Sequence, residues 1–278
     1  MDDASRKVTL FWYSQTGNSF SCAERAGKSL EESGYEVTIS YVLNPSDNGY
    51  DADLFLFVFP TMQFYVPGPV KRFIDNMPRQ STAKKALAVI TCAGAPANVP
   101  SILKRMLSEK NIDLANHLII RSRNSWIFLT KIIPLPMNTK KPDEKSFLRV
   151  ESFIQKNTIH GIRKKLTIFN PLSLFHWIGV YGESASETEL KKLYGDRIFI
   201  KEDCTDCNFC VALCPSGAIT RTEEIHYNDD LCIGCCGCMN VCPTNAWQCS
   251  KIGLENFYKG INVKRMAAAT GRLQHTPT

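Results

Sequence analysis

The sequence predicts an α/β domain built on a doubly wound parallel sheet of five strands, followed by a small cysteine-rich α+β domain. Over residues 6–160, short apolar runs alternate with helical stretches, which is the pattern of a parallel sheet covered by helices on both faces. Beyond that region, ten of the 12 cysteines lie between Cys204 and Cys249. A chain of 278 residues is long enough to form two domains, each with its own core.

The elements of the α/β domain are predicted from its apolar runs and their boundaries. The predicted strands are residues 8–13, 35–41, 53–59, 86–90 and 117–120. After its first residue, the third strand is wholly apolar, as expected for a strand that is buried on both faces. The predicted helices are residues 20–33, 66–77, 99–110 and 144–157.

A polar loop, Ser14-Gln15-Thr16-Gly17-Asn18-Ser19, separates the first predicted strand from the first predicted helix. Backbone N–H groups, hydroxyls and a helix N-terminus together suit the binding of an anion. The loop lacks the Gly-Lys-Ser/Thr of a nucleotide P-loop and the G-x-G-x-x-G of a dinucleotide turn. A Ser/Thr/Asn cluster before a helix is also typical of a plain helix cap, so the loop alone leaves both interpretations open.

The cysteines of the C-terminal region form a repeated motif, C-x-x-C-x-x-C-x-x-x-C-P. In the two-cluster pattern with this spacing, the fourth cysteine of each half ligates the cluster of the other half. The predicted ligands of the first [4Fe–4S] cluster are Cys204, Cys207, Cys210 and Cys242. The predicted ligands of the second [4Fe–4S] cluster are Cys232, Cys235, Cys238 and Cys214. Structural zinc sites are the alternative, but zinc favours well-separated C-x-x-C pairs.

Four cysteines stand outside this motif. Cys22 and Cys92 are interpreted as small buried residues and not as redox thiols. Cys236 and Cys249 are interpreted as passengers, with Cys236 able to compete as a ligand if a cluster is damaged. The clustering of thiols away from any disulfide framework predicts a reducing compartment, and we expect a cytoplasmic protein from an anaerobic setting.

Charge and hydropathy argue against two further classes of protein. The net charge of +6 divides into −4 for residues 197–249 and +10 for the remainder, and this asymmetry favours docking either within the chain or with another carrier. No basic stripe interleaved with aromatic residues is present, which argues against nucleic-acid binding. Residues 166–182 are uncharged and aromatic-rich, but short for a membrane span. They predict either a membrane-surface helix or, as we favour, a segment packed between the domains.

Residues 6–160 resemble flavodoxin, because the polar loop at residues 14–19 looks like the flavodoxin phosphate loop, with Gln15 where glycine is commoner. The resemblance implies FMN as the ligand. By this resemblance, the loop at 60–65 would cover one face of the flavin ring, with Phe64 or Tyr65 as the stacking ring, and the loop at 91–96 would lie near the other edge of the ring. Packing under a loop is the alternative role for these aromatic residues. The implied FMN contacts are Ser14, Gln15, Thr16, Gly17, Asn18, Ser19, Pro60, Thr61, Met62, Gln63, Phe64, Tyr65, Thr91, Cys92, Ala93 and Gly94.

The cysteine-rich region resembles bacterial two-cluster ferredoxins, and the whole chain resembles flavodoxin–ferredoxin fusion proteins of anaerobes. The expected organisation is a flavodoxin-like domain, an interdomain linker, a ferredoxin domain and a basic, partly disordered tail. These correspond to residues 1–160, 161–196, 197–250 and 251–278.

The resemblance implies an electron-transfer oxidoreductase that passes low-potential electrons between two [4Fe–4S] clusters and FMN, to or from a partner redox protein. A reductase of a specific small molecule or an enzyme-bound cofactor such as a corrinoid is an alternative. It would use residues 121–142 and 161–182 to enclose the flavin, with Trp126, Phe128 or Trp177 over its open face. A redox-sensing or docking module is a second alternative.

Overall fold

A computed structural model describes most of the chain, namely residues 6–47, 49–62, 65–123, 125, 141–158, 191–192, 196–251, 253 and 258–273. The chain divides into two compact units. The first contains the described residues within Met1–Ser14, Asn18–Arg123 and Met137–Tyr181. The second contains those within Gln15–Gly17, Asn124–Pro136 and Gly182–Thr278. Among the described residues, no helix is long and apolar enough to cross a membrane.

The first unit is built on a parallel sheet of five strands. Its strands are β1 (Lys7–Trp12), β2 (Glu36–Tyr41), β3 (Leu54–Pro60), β4 (Lys84–Cys92) and β5 (Ile112–Arg121). They lie in the order β2-β1-β3-β4-β5, and all neighbours are parallel. This is the doubly wound order of flavodoxin-like sheets, and it confirms the predicted fold class.

Among the described residues of this unit, four helices accompany the sheet. They are α1 (Asn18–Glu32), α2 (Gly68–Asn76), α3 (Val99–Glu109) and α4 (Glu144–Thr158). Their positions agree with the prediction to within two residues at every end. Helix α1 packs against α4, where Arg25 forms ion pairs of 2.7 Å with both Glu144 and Glu151. The guanidinium also lies over the ring of Phe147, 5.4 Å from its centroid.

The last two strands of the sheet are longer than predicted. β5 begins at Ile112 and not at residue 117, because Asn111 adopts a φ of 60° and turns the chain directly from α3 into the strand. The register between β4 and β5 also shifts at Ala86/Leu87. β5 is an edge strand in which buried and half-buried residues alternate irregularly, so it contains no continuous apolar run at its start.

The second unit contains much shorter elements. Its described residues contain two antiparallel pairs of three-residue strands, β6 (Arg197–Phe199) with β9 (Trp247–Cys249) and β7 (Ile219–Arg221) with β8 (Ile225–Tyr227). They also contain the α-helices α5 (Phe209–Leu213), α6 (Gly237–Val241) and α7 (Val263–Ala269). The sequence predicts strands at residues 198–200 and 225–227 of this region, and these correspond to β6, shifted by one residue, and to β8. It did not predict β7, β9 or the helix α7 within the tail.

Several sequence-based expectations lie outside the described residues. These concern the aromatic-rich segment at 166–182, most of residues 121–142, and the side chains of Gln63 and Phe64. The described part of the tail, residues 258–273, contains α7.

Candidate functional site

A cavity in the C-terminal region is lined by thiols from both halves of the repeated motif. All four cysteines predicted for the first cluster line it, namely Cys204, Cys207, Cys210 and Cys242. Apolar side chains, with Phe199 and Trp247 among them, contribute to its wall. Four sulfur donors around a largely apolar cavity fit a [4Fe–4S] cluster, which is held by four thiolates and depends on its surroundings for its potential.

The pairing of β6 with β9 brings the beginning and the end of this region together. Phe199 lies opposite Trp247, and their ring centroids are 4.9 Å apart. Cys204 follows β6 along the chain, and Cys242 precedes β9. The two strands therefore carry cysteines of different halves to one cavity, as the crossed ligand pattern requires.

Proline explains why the fourth cysteine of each half leaves its own helix. α5 and α6 are each followed by a Cys-Pro pair. The residue before a proline is restricted to extended conformations, and Cys214 and Cys242 have ψ angles of 115° and 120°. The chain therefore turns out of the helix at the fourth cysteine of each half.

Burial dominates the acid–base properties of the motif thiols. The pKa of Cys210 is raised to about 12, mainly by burial. Thiols from both halves of the motif also raise this pKa, whereas the nearby Trp247 lowers it. Burial also raises the pKa of Cys235 to about 12, and the next largest contribution comes from Cys214. Cys214 thus lies near the thiols predicted for the second cluster. Because metal binding needs thiolates, cluster insertion must release protons from these cysteines.

Arg197 is a buried residue that the sequence analysis missed. Its side chain, only 7% exposed, donates from Nη2 to the Sγ of Cys236 at 3.2 Å and from Nη1 to the Sγ of Cys249 at 3.4 Å. The two cysteines interpreted as passengers therefore hold a buried cation. The sequence contains a signal for Arg197 in the two halves of the repeat. Arg197 precedes Cys204 at the same spacing at which Ile225 precedes the first cysteine of the second half, so a charged residue stands where the other half has an apolar one.

The predicted flavin contacts in the first unit lie at one edge of the sheet. β1, β3 and β4 are neighbours, and the predicted contacts lie at or just beyond their carboxyl ends. The polar residues Ser14, Asn18, Ser19 and Thr91 are all buried there. In doubly wound sheets, ligands bind outside the carboxyl ends of the strands where the strand order reverses, which here is between β1 and β3. A concentration of buried hydroxyl and amide groups at that edge fits a phosphate-bearing ligand.

Hydrogen bonds connect the loops at this edge. The hydroxyls of Ser19 and Thr91 are 2.7 Å apart, and the N–H of Thr61 donates to the carbonyl oxygen of Thr91 at 2.8 Å. Met62 and Tyr65 exchange two backbone hydrogen bonds, which close a tight turn. Tyr65 is half-buried, and the choice between Phe64 and Tyr65 as the stacking ring stays a prediction.

Three residues of the predicted phosphate loop, Gln15–Gly17, belong to the second unit. Within that unit, the carbonyl oxygen of Thr16 accepts a hydrogen bond from the N–H of Ile261 at 2.9 Å, and the hydroxyl of Tyr258 donates to Thr16 Oγ1. Tyr258 was not identified from the sequence, where nothing distinguishes it from other tail residues. The left-handed conformation falls at Gly17, with a φ of 90°, and not at Gln15, so glutamine is compatible with this loop.

The two cysteines outside the cysteine-rich region are both buried in the first unit. Burial raises the pKa of Cys22 to about 12. Burial also raises the pKa of Cys92 to about 11, although Arg121 acts in the opposite direction. Neutral buried thiols of this kind agree with the interpretation of both as small core residues.

Two family models match separate parts of the chain. The 4Fe-4S dicluster domain matches residues 203–246, which include all eight motif cysteines, and it indicates two [4Fe–4S] clusters. The NADPH-dependent FMN reductase family matches residues 42–108, which include the loops after β3 and β4, and it indicates FMN.

Relatives cover only parts of the chain. The pyruvate synthase subunit PorD of Methanothermobacter marburgensis is 44% identical over 46 residues, which are 16% of this chain and 54% of that protein. The corresponding subunit of Thermotoga maritima is 47% identical over 51 residues, which are 18% of this chain and 52% of that protein. The chain thus spans about half the length of these relatives.

Among solved structures, a flavodoxin from the domain Archaea is 14% identical, with a TM-score of 0.42, and the match covers 56% of this chain and 98% of that one. The strand order and the family match at 42–108 indicate a flavodoxin-like segment, and the match at 203–246 indicates a 4Fe–4S dicluster segment. The cofactors of the chain are FMN and two [4Fe–4S] clusters.

Proposed function

We propose that this chain is an electron-transfer oxidoreductase that passes low-potential electrons between its two [4Fe–4S] clusters and FMN, to or from a partner redox protein. The observation that carries the proposal is the cavity lined by the four thiols predicted for the first cluster. Three of these come from one half of the motif and Cys242 comes from the other, which is the arrangement that a two-cluster protein needs.

The proposed ligands follow the predicted sets. Cys204, Cys207, Cys210 and Cys242 hold the first cluster, and the second is held by Cys232, Cys235, Cys238 and Cys214. The influence of Cys214 on the pKa of Cys235 supports the crossed position of the fourth ligand in the second set. Each cluster exchanges one electron, and FMN exchanges one or two electrons. The cofactors supply this redox chemistry, and the protein supplies ligands, burial and position.

The residues proposed for FMN act through binding and exclusion of water. The loop at 14–19 binds the phosphate with buried hydroxyls at the N-terminus of α1, a position that favours an anion. The turn closed by Met62 and Tyr65 covers the ring, and the linked hydroxyls of Ser19 and Thr91 keep the loops in register.

The partner is proposed to be another redox protein, since the relatives of the cysteine-rich segment include proteins named as subunits of pyruvate synthase. All 12 cysteines are free of disulfides, which supports a reducing compartment such as the cytoplasm. The proposed domains remain residues 1–160, 161–196, 197–250 and 251–278. The alternative of a dedicated reductase depends on Trp126, Phe128 and Trp177, which lie outside the described residues.

An anaerobic reductive titration of the full chain, with iron and flavin assays, tests the proposal. We expect about eight iron atoms, one FMN and an uptake of about four electrons per chain. Cys242→Ser should remove one cluster and reduce the uptake by about one electron, whereas Cys22→Ser, a matched change at a cysteine of α1, should leave both cofactor contents unchanged. An uptake of about two electrons without flavin bands would contradict the proposal and favour a sensing or docking role.

A further inference from the structure

The two halves of the cysteine motif differ at one buried position. The residue that follows the second cysteine is Asn208 in the first half and Cys236 in the second. Both precede a helix and have left-handed φ angles of 57° and 58°. Asparagine is several-fold enriched in this region of φ/ψ space, whereas cysteine has no such preference. Cys236, which is buried and only 1% exposed, therefore occupies a position whose backbone conformation favours asparagine or glycine.

Each of these residues contacts an arginine, but the arginines have different neighbours. Asn208 accepts a hydrogen bond at 3.1 Å from Arg221, which also forms an ion pair of 2.8 Å with Asp206. Cys236 accepts a hydrogen bond from Arg197, and so does the sulfur of Cys249. The cation of the first half thus forms a direct ion pair with a carboxylate, whereas the guanidinium of Arg197 contacts two sulfur atoms and also helps to lower the pKa of Asp229.

The guanidinium of Arg197 lies beside the chain segment that carries the thiols predicted for the second cluster, because the sulfur that it contacts at 3.2 Å belongs to Cys236, between Cys235 and Cys238. Burial lowers the pKa of Arg197, but interactions with neighbouring cysteines, including Cys238 and Cys232, outweigh this and leave the pKa above its usual value. Arginine stays protonated in proteins under all ordinary conditions, so the guanidinium is a permanent positive charge at this place.

We propose that Arg197 raises the reduction potential of the second cluster, so that this cluster accepts an electron before the first one does. The inference rests on the proposed ligand sets. Reduction adds one electron, and so one negative charge, to a cluster that four thiolates already make anionic. A buried cation stabilises the reduced form more than the oxidised form, and this preference is strong where water does not screen it. Arg221 has a smaller effect on the first cluster because Asp206 offsets its charge.

Cys236 and Cys249 act as positioning residues for the guanidinium. They contact two different nitrogen atoms of Arg197, which holds the planar group in one orientation. β6 and β9 place Arg197 directly opposite Cys249, so the pairing of the two strands contributes to the same arrangement. This gives a role in tuning to the two cysteines that lie outside the ligand motif.

The test is an anaerobic potentiometric titration of the full chain, followed by electron paramagnetic resonance. In Arg197→Gln, the equilibrium for reducing one cluster should become about tenfold less favourable, which is about 59 mV for a one-electron couple. The other potential should stay unchanged. Arg197→Lys, which keeps the charge, should shift less. Arg221→Gln is the matched control in the first half and should preserve the order of the two potentials.

A second measurement leaves Arg197 intact, in case the glutamine variant loses iron. Cys204→Ser should remove the first cluster, and the cluster that remains should titrate at the higher of the two wild-type potentials. Cys232→Ser should leave a cluster that titrates at the lower potential. The reverse assignment, or two wild-type potentials that coincide, would overturn the inference. If the wild-type chain contains two reducible clusters and gives one of these two results, only the role of Arg197 is refuted. If the wild-type chain contains iron for well below two clusters, the proposed function itself is refuted.

Discussion

The α/β unit and the cysteine-rich region are stabilised in different ways. In the first unit, Leu10, Leu56 and Leu87 lie side by side on three adjacent strands and are completely buried. In residues 196–251, by contrast, every strand has three residues and every α-helix has five. The sheet therefore has an apolar core of its own, whereas the cysteine-rich region gathers thiols around a cavity.

The difference indicates which unit depends on its cofactors for folding and which unit folds on its own apolar core and then binds its cofactor. Burial of one leucine side chain contributes about 2 kcal/mol, and the first unit buries such residues along β1, β3 and β4. A region of fewer than about 70 residues rarely gains more than about 3–5 kcal/mol from its apolar core, so metals or disulfides often stabilise it. Because metal binding and folding are coupled in such regions, we expect the clusters to stabilise the cysteine-rich region far more than FMN stabilises the sheet.

Removal of the clusters is expected to have the largest effect. After treatment with an iron chelator and an oxidant, the amides of residues 196–251 should exchange with solvent about 100-fold faster or more, because the region loses the groups that fill its interior. The amides of β3 and β4 should keep their protection. Hydrogen–deuterium exchange with mass spectrometry measures both, and protein depleted of FMN alone is the control. Protection that persists in residues 196–251 after complete loss of iron would show that this region has a sufficient core without clusters.

Gly17→Ala is expected to have an intermediate effect, on flavin binding. A Cβ atom at this residue would come within 1.8 Å of the carbonyl oxygen of Ile261, in a backbone conformation that alanine disfavours. We expect FMN affinity, measured by fluorescence quenching on titration of the apoprotein, to fall by about tenfold or more, which is about 1.4 kcal/mol.

Gly34→Ala is the matched control for this substitution. Gly34 also has a left-handed φ, of 82°, but no atom lies within 4 Å of the added Cβ. The control should cost about 1–2 kcal/mol of folding free energy through backbone strain alone and should bind FMN normally. Equal FMN affinities of the two variants would mean that crowding at Gly17 has no bearing on the flavin.

Arg25→Ala is expected to have the smallest effect, on the stability of the first unit. Arg25 connects α1 to α4 through Glu144 and Glu151, but its side chain is 36% exposed, so solvent screens both ion pairs. The loss, including the contact with Phe147, should be about 1 kcal/mol in the free energy of unfolding by urea. Lys28→Ala, which removes only the exposed pair with Glu32 on the same helix, should change the free energy by less than about 0.5 kcal/mol. A larger loss in the lysine variant would contradict this ranking.

Most elements of the α/β unit were predictable because their signals are local. The apolar run of β3 and the polar loop before α1 identify themselves within a few residues. The beginning of β5 was missed because it depends on a left-handed turn at Asn111 and on an edge position in the sheet, neither of which leaves an apolar pattern. β7 and β9 were not predicted, although they have the same length of three residues as β6 and β8.

The sequence by itself determined the number and kind of the clusters and the fold class of the first unit. Cysteine spacing and hydrophobic runs express these properties directly in the order of residues along the chain. Only the tertiary structure decided that Arg197 lies between two cysteines outside the motif and that Tyr258 donates to Thr16. These contacts join residues that are far apart in the chain. They depend on strand pairing and burial, which the spacing of residues does not encode.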